Sequence, residues 1–231
     1  MTIEILQLLP GARAARGWVV VIDVFRAFST ACYVLANGAR EVVAVGSLDK
    51  ARELKEAWPN AILMGERGGV ACPGFDYGNS PTEILKVDFQ GRRVIQTTSA
   101  GTQGLVAVGA VEGLVTGAFV NARAVEQFLR KVQAEQVSLV CMGNGAIEPS
   151  TEDTACAEWL RAGLLGEERD FAEVRGRLTG SLEAQRFLHA EKRISPAEDF
   201  HHCLALDRFD FVVRADRAGV GEGVVLRRED V

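Results

Sequence analysis

Histidine is scarce in this chain, and several familiar signatures of metal, thiol and nucleotide chemistry are missing. The three histidines, His189, His201 and His202, fall in the C-terminal part without zinc-type spacing, so packing or surface roles are expected of them. The five cysteines, Cys32, Cys72, Cys141, Cys156 and Cys203, are odd in number and include no CxxC pair. That argues against a disulfide framework and for a reduced, cytoplasmic protein. No Lys/Arg run exceeds two residues and the formal net charge is −5, which excludes a general nucleic-acid binder but not a binder of small anions. No apolar stretch approaches the roughly 20 residues that span a bilayer, so no membrane partner is expected. The opening MTIEILQLLPGARAARG lacks the basic start and long apolar run of a secretory signal. There is no GxGxxG after the first strand and no GxxxxGK followed by Ser or Thr, which disfavours dinucleotide binding and P-loop hydrolysis. The DxD pair of haloacid-dehalogenase-type phosphatases is also missing, because Phe25 stands two residues after Asp23.

What is present is an α/β pattern. The 231 residues are 48% hydrophobic, enough for a buried core in a single domain covering 1–231. Val19 to Asp23 is a continuous apolar run ending in a carboxylate, the pattern of a strand buried on both faces of a parallel sheet. A helix is expected over Phe28–Leu35 with a stop at Asn37-Gly38, then a strand at Glu41–Val45. A helix capped by Ser47 follows from Leu48 to Trp58, then a short strand at Ile62–Met64. The plan repeats: strand Arg93–Thr97, helix Gly101–Val108, strand Val111–Thr116, a helix capped by Asn121 to about Lys131, and strand Val137–Met142. Helices are expected at Thr151–Leu165, Ser181–Ala190 and Pro196–Leu206, with strands at Phe209–Arg214 and Gly223–Arg227. The expected fold class is a three-layer α/β/α domain with a mostly parallel sheet, leaving room for a mixed one. VVAVGSLDKA and GLVTGAFVNA occupy matching places, as do LMGE and CMGN. They suggest an internal duplication of halves about 17–66 and 91–145, followed by a helical and strand extension over 166–231. The segment Arg67–Arg92, rich in glycine and proline, reads as a functional loop.

In open α/β sheets, ligands bind at the carboxyl ends of the strands. That edge collects Asp23 and Arg26, then Glu66 and Arg67, then Thr98, Ser99, Gly101 and Thr102, then Gly143 to Gly145, and finally Glu152 and Asp153 at a helix start. Each has a plain structural alternative: Asp23 and the hydroxyl cluster suit helix caps, and Glu152 and Asp153 suit a helix dipole. Together they suit a hard divalent ion such as Mg²⁺ and a phosphate. Cys72 has no histidine near it in sequence and is not expected to be a nucleophile.

The segments VVVIDVFRAFST, GERGG, GFDYGNSP, TTSAGT and EDTACAEWL occur here in the order found in the 2-phosphosulfolactate phosphatase family of coenzyme M biosynthesis, which the chain resembles. Ala100 stands where that family often has asparagine. The resemblance implies a Mg²⁺-dependent phosphatase acting on the phosphate ester of a small 2-hydroxy acid. Asp23, Glu66, Glu152 and Asp153 are then the metal candidates, and Asp23, Arg26, Glu66 and Asp153 the catalytic ones. Arg26, Arg67, Thr98, Ser99, Gly101, Thr102 and Asn79 are expected to bind substrate, Arg67 taking its carboxylate or sulfonate. A phosphate-ester lyase or phosphotransferase on the same site is the rival enzyme reading, and a sensor of a phosphorylated metabolite is the non-enzymatic one. A homodimer is expected from base rates alone.

Overall fold

The computed structural model describes residues 1–189, 195–217 and 223–231. The chain opens with β1 (Thr2–Gln7) and α1 (Leu8–Ala14). It continues through β2 (Trp18–Ile22), α2 (Ala27–Ala36), β3 (Glu41–Ala44), α3 (Leu48–Ala57) and β4 (Ile62–Arg67). A short β5 (Val70–Ala71) and α4 (Pro81–Ile84) lead to β6 (Arg93–Thr97), α5 (Gly101–Ala107), β7 (Gly113–Gly117), α6 (Ala122–Lys131) and β8 (Gln136–Cys141). Then come α7 (Thr151–Leu165), α8 (Phe171–Thr179), α9 (Leu182–Leu188), α10 (Glu198–Cys203), β9 (Phe211–Asp216) and β10 (Val224–Asp230).

Among the described residues the strands form one mixed sheet in the order β1-β8-β2-β7-β9-β10-β3-β6-β4-β5. Two parallel blocks, β1-β8-β2-β7 and β3-β6-β4, are joined by the antiparallel hairpin β9–β10. The blocks are interleaved. Strand β2 lies between β7 and β8, while β6 lies between β3 and β4, so the first strand of each half sits between two strands of the other. The hairpin expected as part of a C-terminal extension is therefore the centre of the sheet. Its place is set by partners far away in the chain, Thr116 for Val213 and Val43 for Val225, which no local pattern reports.

The apolar runs are continuous because both sheet faces are covered. Val19 and Val21 of β2 pack with Phe28 and Leu35 of α2, Leu105 of α5 and Ala12 of α1. The alternate residues Val20 and Ile22 pack with Phe128 of α6 and Leu160 of α7. In the other block Val43, Leu63 and Ile95 pack with Ala51 and Leu54 of α3. Helices thus cover both faces, as expected.

Local expectations held where local chemistry decides. The Ser47 hydroxyl accepts the Lys50 amide at 3.1 Å and caps α3, and α7 spans the expected Thr151–Leu165. At Asn121 the expected cap differs: the side chain accepts the Ala118 amide at 3.2 Å and holds the turn before α6 instead of the helix itself. The segment 67–92, expected as loop, contains β5 and α4. Ala190, the last residue of the helix expected from Ser181, lies outside the described residues.

Four strands separate β2 from β6 in the sheet, which in a flat sheet would put them about 24 Å apart. Yet the Gly101 amide donates to Asp23 Oδ2 at 2.8 Å, and the four residues from Thr97 to Gly101 cannot bridge that gap alone. The sheet must coil, as accumulated strand twist makes large sheets do. Coiling brings the carboxyl ends of the two blocks together.

Candidate active site

Where the blocks meet there is a cleft of about 220 Å³. Asp23, Arg26 and Glu66 line it from the first half, Ser99 and Asn144 from the second, and Asn79 from the intervening segment. Glu152 of α7 and Arg186 of α9 complete it.

Asp23 follows the last residue of β2 and is almost wholly buried. Its Oδ1 accepts the amides of Arg26 and Ala27, both at 3.2 Å, so it does cap α2. Its Oδ2 accepts the Gly101 amide at the start of α5. The carboxylate therefore caps one helix, ties it to another and faces the cleft. Gly101 is required by this approach, since a Cβ there would stand 2.8 Å from both Ala27 Cβ and Asp23 Oδ2. Burial raises the Asp23 pKa; the hydrogen bonds from Arg26 and Ala27 oppose the shift, and Glu66 adds to it.

Glu66 sits near the end of β4, which runs past the expected Met64 because β5 pairs back onto Glu66 and Arg67. Its Oε1 accepts the Ser99 amide at 2.7 Å, and its Oε2 accepts the Gly69 amide at 2.6 Å and the Ser99 hydroxyl at 3.1 Å. The short turn from Ser99 to Gly101 thus donates to both carboxylates, Glu66 with one amide and Asp23 with the other.

Arg26 is buried beside them. Its Nη2 donates to the Gly69 carbonyl at 2.8 Å, and its Nη1 lies 3.7 Å from Asp199 Oδ2. Burial first, and the neighbouring Arg186 next, lower its pKa. Asp199 of α10 has no exposed surface. It also accepts from the Ser80 hydroxyl and from the amide and hydroxyl of Thr82, which ties the intervening segment to the site.

Glu152 is different. Its Oε2 is buried without a hydrogen-bond donor. Burial pushes its pKa well up, the neighbouring Asp153 adds to this, and Arg186 opposes it.

The other expected residues stand behind this surface. Both oxygens of Asp153 are occupied at 2.8 Å, Oδ1 by the Val24 amide and Oδ2 by the Gly143 amide, so Asp153 braces the loops after β2 and β8. Burial, reinforced by Asp23, raises its pKa to about 7. Gly143 has φ +65° and a Cβ there would lie 2.1 Å from the Glu148 carbonyl oxygen, so only glycine fits that brace. Thr98 and Thr102 bond each other: the Thr98 amide donates to Thr102 Oγ1 at 2.8 Å, and the Thr102 amide to Thr98 Oγ1 at 3.2 Å. Arg67 donates to the Glu66 carbonyl at 2.6 Å and to Thr97 Oγ1 at 2.8 Å, and it does not line the cleft. Asn79 does line it, its Oδ1 held by Gln96 Nε2 at 3.1 Å.

Cys72 is buried outside the cleft lining, and burial raises its pKa, which disfavours a thiolate. His202 packs edge-on to Tyr33, and His201 lies 3.3 Å from Arg175. Arg186 and Asp199 were not singled out from the sequence. Both sit on short helices, 26 and 39 residues beyond the end of the last matching motif, and nothing local marks them.

A larger depression of about 570 Å³ lies at the opposite end of β7 and is lined by Arg214, Arg217, Arg227 and Arg228. Those cations are already engaged. Arg214 pairs with Glu229, Arg227 with Glu41, Arg228 with Asp230, and Arg217 donates to carbonyls at the end of α5.

Among the described residues no three Asp, Glu, His or Cys side chains form a ready-made metal cage. The donor set in the cleft does suit Mg²⁺, which typically keeps several waters and takes only one or two carboxylates besides substrate oxygens. Asp23 Oδ2 and Glu66 Oε1 each accept a single amide and so keep a lone pair for such an ion.

Comparison with known proteins identifies the family. The family model for 2-phosphosulpholactate phosphatase matches residues 3–217. A Bacillus subtilis protein named probable 2-phosphosulfolactate phosphatase is 34% identical over 203 residues, covering 87% of each chain. A Synechococcus protein of the same name is 35% identical, covering 87% of this chain and 89% of its own. One from Carboxydothermus hydrogenoformans is 35% identical over 84% of each. No helix among the described residues is long and apolar enough to cross a membrane. The chain belongs to the 2-phosphosulfolactate phosphatase family.

Proposed function

We propose that this protein is a phosphoric monoester hydrolase acting on the phosphate ester of a small 2-hydroxy acid. 2-Phosphosulfolactate, yielding sulfolactate and phosphate, is the substrate its relatives' name points to. The observation that carries this reading is the meeting, in one small cleft, of three carboxylates, Asp23, Glu66 and Glu152, with two guanidiniums, Arg26 and Arg186. A cleft of about 220 Å³ is below the usual range of drug-sized pockets and suits a small ester.

Asp23 and Glu66 would hold hydrated Mg²⁺, leaving the free Glu152 oxygen for the attacking water. The ion, when bound, spreads the negative charge of the phosphoryl group and makes a coordinated water more acidic. Arg26, fixed by Gly69 and Asp199, holds non-bridging phosphoryl oxygens through the transition state, where positioning and charge do most of the work. Glu152, with an oxygen free of donors and a raised pKa, takes the proton of the attacking water. The water oxygen bonds to phosphorus, the ester P–O bond breaks, and the 2-hydroxy acid leaves as its alcohol with the proton. Three amides already occupy the Asp23 oxygens, which makes that carboxylate a poor nucleophile and favours direct attack by water over an aspartyl phosphate. A cytoplasmic location fits the five buried cysteines, all of them free thiols.

The test is inorganic phosphate release from a panel of phosphorylated 2-hydroxy acids, with and without metal. Release is expected to require Mg²⁺ and to vanish in excess chelator. Full activity after stripping all metal would sink the metal reading. Tight binding of the esters without phosphate release would favour a sensor.

A further inference from the structure

We propose that Arg186 grips the second anionic group of the substrate, the acid group beside the phosphate ester, and so sets the preference for phosphorylated acids over plain phosphate monoesters. This rests on the phosphatase reading and deepens it. The sequence pointed to Arg67 for that role, but Arg67 is spent on the Glu66 carbonyl and Thr97 Oγ1.

Arg186 lines the cleft from α9, a helix anchored by its Ser181 cap. Its guanidinium lies 5.0 Å from the Phe187 ring and 5.8 Å from the Phe25 ring, and its Nη2 donates to the Phe25 carbonyl at 2.9 Å. That carbonyl and those rings hold the charge at the edge of the cleft. Its Nε is enclosed and has no acceptor. A guanidinium fixed in this way against apolar rings, with an unused donor, is prepared for an anion.

Arg26 already has a defined place beside Asp23 and Glu66, where the phosphoryl group would sit. Arg26 also has Asp199 beside it, whereas Arg186 sits only at longer range from Glu152 and Asp23, which leaves its free donor for an anion that enters the cleft. A simple phosphate ester offers one anionic group, and a phosphorylated 2-hydroxy acid offers two on adjacent atoms. The arrangement of Arg26 and Arg186 matches the second kind.

The experiment compares kcat/KM for 2-phospholactate with that for isopropyl phosphate, the same ester with a methyl group in place of the carboxylate. The wild type is expected to prefer 2-phospholactate. In Arg186→Met, which retains apolar contact with the rings, the preference should fall at least about 30-fold, mainly through KM for the acid, because the paired acid group loses its donor. Arg186→Lys should keep part of the preference. Arg186→Gln, which can still donate to the Phe25 carbonyl, guards against a folding failure. An unchanged ratio, within about twofold, in a folded variant would overturn the proposal. A third arm compares 2-phosphosulfolactate with 2-phospholactate: a preference lost for this pair alone would put the sulfonate, not the adjacent acid group, on Arg186 and would likewise overturn the proposal. If the wild type releases no phosphate from any ester, the phosphatase reading fails first. Calorimetric binding of 2-phospholactate and isopropyl phosphate to wild type and variants then still tests Arg186.

Discussion

The turn after β2 and the turn after β6 occupy corresponding places in the two interleaved halves, and they do different work. Each puts a side chain one residue past its strand that can cap the helix to follow: Asp23 in one, Thr98 in the other. Thr98 closes on Thr102 and ends there, a neutral cap satisfied within its own turn. Asp23 caps α2 and still reaches across to the Gly101 amide, so an acid at that position joins the halves and faces the cleft. The ends of β4 and β8 differ likewise, with Glu66 on one side and Asn144 on the other, both lining the cleft. One half supplies two of the carboxylates. The other supplies amides, Ser99 and Asn144. Two turns in corresponding places thus form a charge site and its donor frame.

The sharpest way to break that contrast is Asp23→Asn. Whichever way the amide lies, its NH₂ meets a backbone N–H, so a stability cost of about 1–3 kcal/mol is expected. Turnover should fall about 1000-fold, the equivalent of several kcal/mol of transition-state stabilisation. Steady-state phosphate release on protein checked by circular dichroism measures it, and turnover near wild type would make Asp23 merely a cap. Next comes Gly101→Ala, whose Cβ would press on Ala27 Cβ and Asp23 Oδ2, each 2.8 Å away. Overpacking should cost about 1–3 kcal/mol in urea unfolding, and activity should drop with it because Asp23 is displaced.

The buried acids give a pH signature. The Asp153 pKa rises from 3.8 to about 7, so the folded state holds that proton more tightly than the unfolded chain. In chelator, stability should then be greatest below pH 4 on this account, fall as pH rises towards 7 and level off above. The melting temperature at pH 8 should lie below that at pH 5, and Asp153→Asn should narrow the gap. A melting temperature that rises over this range would contradict the burial argument.

Thr98→Ala isolates the other turn. It should cost about 1 kcal/mol as a lost cap, with activity within about threefold of wild type. A loss as deep as that of Asp23→Asn would erase the distinction between the turns. Cys72→Ser should have the smallest effect and leave most activity, measured by the same phosphate-release assay.

What could be read from the sequence follows the range of the forces involved. Val19–Ile22, Ser47 and α7 were legible because neighbours within a turn or strand decide them. Asp23, Glu66, Ser99 and Glu152 were legible because strand ends gather at one edge of an α/β sheet. Asp153 and Thr98 were legible as residues of that edge but not in their orientation, which depends on amides such as Val24, 129 residues from Asp153. Arg186 was illegible: an arginine on an amphipathic helix looks like any solvated one until Phe25 is known to lie beneath it. The β9–β10 hairpin was expected as two strands, yet its insertion between β7 and β3 is a matter of long-range pairing.

That hairpin also dictates an order of events during synthesis. Its two strands are the last made among those described, and they fill the middle of the sheet. Until the ribosome has released them, the facing edges of β7 and β3 have no partner between them, and exposed strand edges invite pairing with other chains. At about 5–20 residues per second, the roughly 100 residues from the end of β7 to the start of β10 keep a nascent chain in that state for several seconds or more. Neither half can finish first, because each needs a strand from the other. Folding should therefore be slow and dominated by distant contacts, and early termination in the last 20 residues should yield aggregates rather than a smaller active enzyme.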